Sequence, residues 1–422
     1  MTDDVDPDDL HPMFQVMLER TDDWRPGENL SSLDYNFLSR HPVMSIFFLV
    51  LTSIAAFVGN VGNFMVIGAI LSYRPLLRNK GNMFVINLAL ADICITSIVS
   101  PMNMVGVTIG PRFFLDKVVL CHMLGSICTV SCLVSMASIA AVAVNRLIQI
   151  CKPFIYHRIY THKKTILYCI GLWIWAMLLD LPNWVGWGGH TFALKEMGCT
   201  FDRLANYGYT IFLTTMSIFL PMTVVLSCYI AILIYVRNSR REVRKFGGSE
   251  NTPMRVTQSN KNGVSREKMS YKKDDLQFAI ILFISFLAFV LCWSPYMIAL
   301  IFDFEDEWSK EIYVAGTLLG HSNSCLNPII YAMGYARFRK GYYVFIHKLF
   351  CMKIKRNSNF YDSKSTLRFT SKFSKSPLRT PTIDKNLQVS GNIISSALST
   401  PIREKCFNSI GNVSRSSNCI SS

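Results

Sequence analysis

Charge is what this sequence has least of. Asp, Glu, Lys and Arg make up 17% of its 422 residues, whereas a soluble globular chain carries about a quarter. The charges also cluster in a few segments, separated by long uncharged runs. That excludes an ordinary water-soluble domain and predicts a polytopic membrane protein. The first residues lack a basic stretch followed by an apolar one and carry Asp3, Asp4, Asp6, Asp8 and Asp9 instead, so no cleavable leader is expected. Zinc-ligand spacings are missing, the eight histidines are scattered, and no nucleophile constellation appears in the apolar runs; neither a metal cofactor nor an enzyme is expected. No repeat relates the two halves, as in an inverted-repeat transporter. The net charge of +15 does not indicate a nucleic-acid partner, because the basic residues fall in loops where membrane topology accounts for them.

What is present is seven apolar runs of about 20 residues or more, the length that crosses a bilayer as helix. They lie near 44–71, 83–107, 121–144, 165–187, 207–236, 276–302 and 312–333. The first, third and fifth loops are basic, with Arg74, Arg78 and Lys80, then Lys152, Arg158, Lys163 and Lys164, then Arg237 to Lys245. The sixth is acidic, with Asp303, Glu305, Asp306 and Glu307. The positive-inside rule then places residues 1–43 outside the cell, a membrane domain over 44–351, and a cytoplasmic tail over 352–422. The outer tail carries a glycosylation sequon at Asn29. The Ser, Thr, Asn and Lys composition of the inner tail predicts disorder, and its clusters around Ser371 to Thr380 are candidate phosphate acceptors. Of thirteen cysteines only Cys121 and Cys199 fall on the oxidising side, which predicts one disulfide pinning the fourth loop to the third helix.

Polar groups at membrane depth are costly and face the interior of a bundle. Asn63, Asp92, Ser135, Asn323, Ser324 and Asn327 are of this kind. Asp92 is either a protonated acid bonded to its neighbours or a carboxylate sharing a small cation with them. Arg146, at the end of the third run, either snorkels to the headgroups or is a buried group that a partner engages. Pro182, Pro221, Pro295 and Pro328 punctuate the runs, and Pro295 and Pro328, flanked by Trp293 and Asn327, suggest hinges.

These residues, in this order, resemble the rhodopsin-like (class A) G-protein-coupled receptors: Gly62-Asn63, Leu88 to Asp92, Cys121, Asn145-Arg146, Trp173, Cys199, Pro221 with Tyr229, Cys292-Trp293-Ser294-Pro295 and Asn327-Pro328-Ile329-Ile330-Tyr331. The resemblance covers about 44–351. It implies an all-α membrane protein, a seven-transmembrane helix bundle with a short amphipathic eighth helix from Phe338 onward and a palmitoylation site at Cys351. It implies that Arg146 meets the G protein, that Asp275 is its resting partner, that Tyr229 and Tyr331 support the open state, and that Trp293 is a toggle beneath the ligand. It assigns Asp92, Ser135, Asn323 and Asn327 to an allosteric sodium pocket. The partners it implies are a heterotrimeric G protein, of the inhibitory class, with arrestin and receptor kinases, at the plasma membrane. Asn145-Arg146-Leu147 departs from the family's usual Asp-Arg-Tyr, which implies a weaker brake on Arg146 and altered coupling. Asn-Arg is shared with the melatonin receptors, the medium-chain fatty acid receptor and the insect receptors Moody and Trapped-in-endoderm, a group this chain also resembles at Leu181-Pro182-Asn183.

The resemblance also bears on the ligand. Cys128 stands where amine receptors carry an aspartate, and His321 where opsins carry the Schiff-base lysine, so neither reading fits. Asn183 and Phe201 match residues used by melatonin receptors, while Arg203 replaces their glutamine. Arg203 resembles instead the arginine that meets a carboxylate in the fatty-acid receptor, and a guanidinium suits a carboxylate or phosphate. Alternatively Arg203 pairs with Asp202 or with acids of the outer loops. With Cys128, Thr129 and Cys132 as a mostly apolar floor, the ligand expected is extracellular, small, and lipid-like or acidic. A melatonin-like indoleamine receptor, or a seven-span channel or transporter lined by Asp92, Asn323 and Asn327, is the alternative.

Overall fold

Hydrocarbon offers a backbone no hydrogen-bonding partner, so an apolar run that crosses it must close its bonds internally as helix. The computed structural model describes residues 36–115, 117–247 and 262–350, with only the backbone of 115, 240, 242–247 and 262–275. Asn29, Cys351, the phosphate-acceptor cluster and the Asp275 side chain lie outside the described residues. Within them the chain forms α1 (Pro42–Ser72), α2 (Asn82–Ile109), α3 (Val118–Cys151), α4 (His162–Asp180), α5 (Tyr207–Ser239), α6 (Asn262–Phe302), α7 (Lys310–Gly334) and α8 (Ala336–Leu349). A hairpin of β1 (His190–Ala193) and β2 (Gly198–Phe201), paired from His190–Phe201 to Ala193–Gly198, joins α4 to α5.

Six of these helices are long and apolar enough to cross a membrane on composition alone; α7 is not. Its Thr317, Asn323, Ser324 and Asn327 are buried instead, so polarity that would be costly in lipid is spent inside the bundle. Burial ranks the helices: 72% of the α3 span is buried, against 28% for α1 and 22% for α4. The third helix is the axis around which the others pack, and Phe47, Phe57, Leu167 and Leu291 form part of an exposed apolar belt. Wide turns interrupt α2 at Ile95–Val99 and α5 at Thr215–Phe219. Each stands just ahead of a proline, Pro101 or Pro221, whose ring would collide with the carbonyl four residues back. Pro182 ends α4 rather than bending it, whereas Pro295 and Pro328 lie inside α6 and α7. Past α7 the chain turns into α8, where Phe338 and Tyr342 are buried and Arg339 donates to the Met333 carbonyl at 2.9 Å, closing the end of α7.

The hairpin lies directly on α2. A Cβ at Gly106 would collide with the carbonyl of Met197, which itself sits at φ 56°. Gly106→Ala should therefore destabilise the protein by about 1–3 kcal/mol, read as a lower midpoint in thermal unfolding of the detergent-solubilised chain. Gly171→Ala in α4, where nothing lies within 4 Å, should leave the midpoint unchanged or raise it.

Candidate functional site

Two sites occupy opposite ends of α3. At the hairpin end Cys121 and Cys199 are disulfide-bonded, and β2 roofs a cavity of about 840 Å³, its mouth included. Its walls come from α3 (Cys128, Thr129, Cys132), α5 (Leu213, Ser217), α6 (Phe289, Trp293, Tyr296) and α7 (Thr317, His321), with Phe201 and Glu196 from the roof. Trp293 forms the floor, stacked on Phe289 at 5.9 Å and edge-on to His321 at 6.5 Å. Five residues expected at a ligand, Cys128, Thr129, Cys132, Phe201 and Trp293, meet here.

Arg203 and Asn183 do not. The Arg203 guanidinium is buried, donates to the Asp303 carbonyl at 2.7 Å, pairs with Asp306, and lies 4.5 Å from the Tyr313 ring. Lys195 joins it, 2.7 Å from Asp306 and 2.7 Å from the Trp308 carbonyl. Asp303 also accepts from Tyr313 at 2.7 Å and from the Glu307 amide at 2.7 Å. The two cations therefore clasp the roof to the loop between α6 and α7, and Arg203 is not among the residues that line the cavity. Asn183 is occupied on both sides, giving a hydrogen bond to Asp180 at 2.9 Å and taking one from the Gly189 amide at 3.1 Å. Asp180 in turn is met by Ser126, Trp184 at 3.3 Å and His190 at 3.2 Å. Asn183 thus supports the roof.

Sequence reasoning missed Glu196. Its carboxylate is 6% exposed, lines the cavity and accepts from the Tyr296 hydroxyl at 2.9 Å. An acid three residues before a disulfide cysteine gives no hint of burial; only the β-turn at Met197 folds it inward.

Beneath Trp293 a second cavity of about 220 Å³ is lined by Ser135, Asn323 and Ser324. Beside it Asp92, 1% exposed, accepts from Ser135 at 3.1 Å and Asn327 at 3.0 Å. The Oδ1 of Asn323 is buried without a hydrogen-bond donor. Three of the four expected cation ligands thus touch one another, and the fourth presents a free oxygen nearby.

At the other end Arg146 is fully buried, which settles it against snorkelling. It donates to Gln149 at 2.6 Å and lies 4.6 Å from the ring of Phe278 on α6. Asn145 does not bond the arginine but reaches the Tyr156 hydroxyl at 3.5 Å. Both side chains pack on Gly81, where a Cβ would strike them. Tyr229 is buried against Phe283 at 4.7 Å, and Tyr331 against Phe338 at 5.2 Å.

Burial raises the Glu196 carboxyl to about 7, against the Tyr296 hydrogen bond and the field of Arg203, which pull it down. A raised folded value means the neutral acid is favoured in the fold, so its contribution to stability is complete below the ordinary value of 4.5 and is lost as pH rises through 7. The unfolding midpoint should fall between about pH 5 and 8, and less steeply in Glu196→Gln; equal slopes would place the titrating group elsewhere.

Residues 62–331 match the family model of the 7 transmembrane receptor (rhodopsin family). The chain is 29% identical to melatonin receptor type 1B-B of Danio rerio over 288 residues, 67% of this chain and 76% of that one. It is 28% identical to melatonin receptor type 1B of Homo sapiens, over 71% and 77%, and 28% identical to the GQ-coupled rhodopsin of Mizuhopecten yessoensis, over 75% and 62%. The crystal structure of squid rhodopsin superposes with a TM-score of 0.63 at 20% identity, covering 77% of this chain and 92% of that one, a likeness of fold. The chain belongs to the rhodopsin family of seven-transmembrane receptors and is a G-protein-coupled receptor, not an enzyme.

Proposed function

We propose that the roofed cavity is the ligand site of a plasma-membrane receptor whose amino terminus is extracellular and whose Arg146 end meets the G protein. The observation that carries this is the enclosure of an apolar cavity between α3, α5, α6 and α7, with Trp293 in both its floor and the wall of the cavity beside Asp92. A ligand that displaces Trp293 bears on the Asp92 network and, through α6, on the Phe278 cover over Arg146. Ligand and G protein then favour the same outward position of α6, and each raises the other's affinity.

The G protein is of the inhibitory class, the competing outcome being Gq, after the relative named as a GQ-coupled rhodopsin. Receptor kinases and arrestin act on the tail over 352–422, with Asn29 glycosylated outside and Cys351 palmitoylated inside. The ligand is small and mostly apolar or lipid-like. The occupied guanidinium of Arg203 gives no support to an acidic one, and the occupied amide of Asn183 gives none to the melatonin contact that relatives' names suggest. Asp92, Ser135 and the open Oδ1 of Asn323 fit a sodium ion, which would hold α2, α3 and α7 in the resting arrangement. Asp275 is the resting partner of Arg146, and Asn327, Pro328 and Tyr331 form the hinge of α7.

Nucleotide exchange on purified Gi and Gq tests the reading. Wild-type receptor should show basal exchange on Gi, and Arg146→Ala should fall to the level of receptor-free membranes. Exchange confined to Gq would replace the class; its absence with both would remove the coupling assignment. Sodium should lower basal exchange in wild type and leave Asp92→Asn unmoved, and an equal response in both would dismiss the sodium site.

A further inference from the structure

We infer that the cavity recognises a ligand with an apolar body and a protonated amine, which pairs with Glu196 and hydrogen-bonds Thr129 and Thr317. This rests on the cavity being the receptor's ligand site and names the chemistry it takes.

Among the described residues no lysine or arginine lines the cavity; its wall holds the carboxylate of Glu196 and the imidazole of His321, and of these Glu196 is the group that can meet a ligand cation. Among the described residues Glu196 makes no ion pair; the nearby cations, Arg203 and Lys195, are held by Asp303 and Asp306. A buried carboxylate without a cation is costly, and Tyr296 supplies one hydrogen bond against that cost. Burial leaves the acid at about 7, so at neutral pH an entering ammonium favours the carboxylate form, and the Glu196 proton is released to water.

Two further groups wait for a partner independently of Glu196. The hydroxyls of Thr129 and Thr317, each 8% exposed, line the same cavity and are buried without a hydrogen bond. Buried polar atoms in folded proteins are almost always met, and here the side from which they can be met is the cavity. They stand on α3 and α7, so a ligand head that reaches both hydroxyls and the roof carboxylate spans the top of the bundle. An ammonium offers three donors. A carboxylate head would instead be placed beside Glu196 and repelled.

The test uses purified full-length receptor in detergent with three probes of similar ring and arm: phenethylamine, phenethyl alcohol and hydrocinnamate, cationic, neutral and anionic. Phenethylamine should raise the unfolding midpoint most and hydrocinnamate least. Glu196→Gln should weaken phenethylamine by about thirtyfold or more and leave phenethyl alcohol unchanged. If Glu196→Gln does not fold, Tyr296→Phe, which keeps the carboxylate but removes its hydrogen bond, should still reduce the preference for the amine. Equal shifts by all three probes, preference for the anion, no shift by any probe up to its solubility limit, or a preference that survives both variants would overturn the inference. Nucleotide exchange on the same samples separates the two readings. Amine binding without exchange on any G protein would sink the coupling assignment alone. Exchange that depends on Arg146 with no amine preference would sink the amine alone.

Discussion

The structure depends on one constraint: hydrocarbon accepts no hydrogen bonds, so a polar group carried into the bundle is costly unless another meets it. The consequence is a line of polar contacts along the inner faces of α1, α2, α3 and α7. Asn63 donates to the Ser324 carbonyl at 2.9 Å, Thr96 returns to the Asp92 carbonyl at 2.9 Å, Asn87 donates to Ser138 at 2.8 Å, and Trp173 of α4 donates to Asn87 at 3.0 Å. Apolar side chains would pack there with less at stake. Hydrogen bonds fix the rotation of each helix, because turning one by a residue leaves a buried donor unmet. The polar line is also where an ion or a shifted helix has the largest effect, since each member depends on the next.

The roof obeys the same rule by another means. A hairpin over a cavity has few apolar neighbours, so it is held covalently at Cys121–Cys199 and by the Lys195 and Arg203 clasp on Asp303 and Asp306. Among the described residues the two non-glycine residues with left-handed backbone are Met197, in the turn of the hairpin, and Asp306, the acid of that clasp in the loop between α6 and α7. Such conformations cost of order 1–3 kcal/mol and persist where the surroundings over-determine them. Met197 turns Glu196 inward, and Asp306 turns its carboxylate to the two cations. Backbone strain is thus spent on aiming charges, one into the cavity and one away from it.

The bundle was legible in the sequence because its signal is long-range and redundant. Seven apolar runs, one-sided basic loops and a single pair of outward cysteines each point to it. The seventh helix shows the limit: read as apolar, it fails that measure alone and is a span because its neighbours cover its polar face. The cavity floor was legible through the family resemblance, which puts Cys128, Thr129, Cys132 and Trp293 beneath the ligand, and all four line the cavity. Loop residues were not. Arg203 and Asn183 matched positions used by ligands in other receptors, but partner choice in a loop is set by what the fold brings near, here Asp306 from a hundred residues away and Asp180 from three. Glu196 was invisible for the same reason, because a single turn at Met197 decides whether an acid meets water or a cavity.

At the Arg146 end an asparagine, not a carboxylate, stands beside the guanidinium. The Asn145 amide is directed to Tyr156, and among the described side chains Arg146 is kept by Gln149 and the face of Phe278. Two of its nitrogens, Nε and Nη2, are buried without a hydrogen bond. A cation over an aromatic face contributes about 0.5–2 kcal/mol, while each unmet buried donor costs about 1–3. Two donors are thus unmet at the residue that, on the proposed reading, a G protein engages, and the ring that covers it stands on α6. Uncovering Arg146 exchanges a weak aromatic contact for the chance to meet those donors. On that reading, a ligand shifts the balance only by the difference between its affinities for the two states.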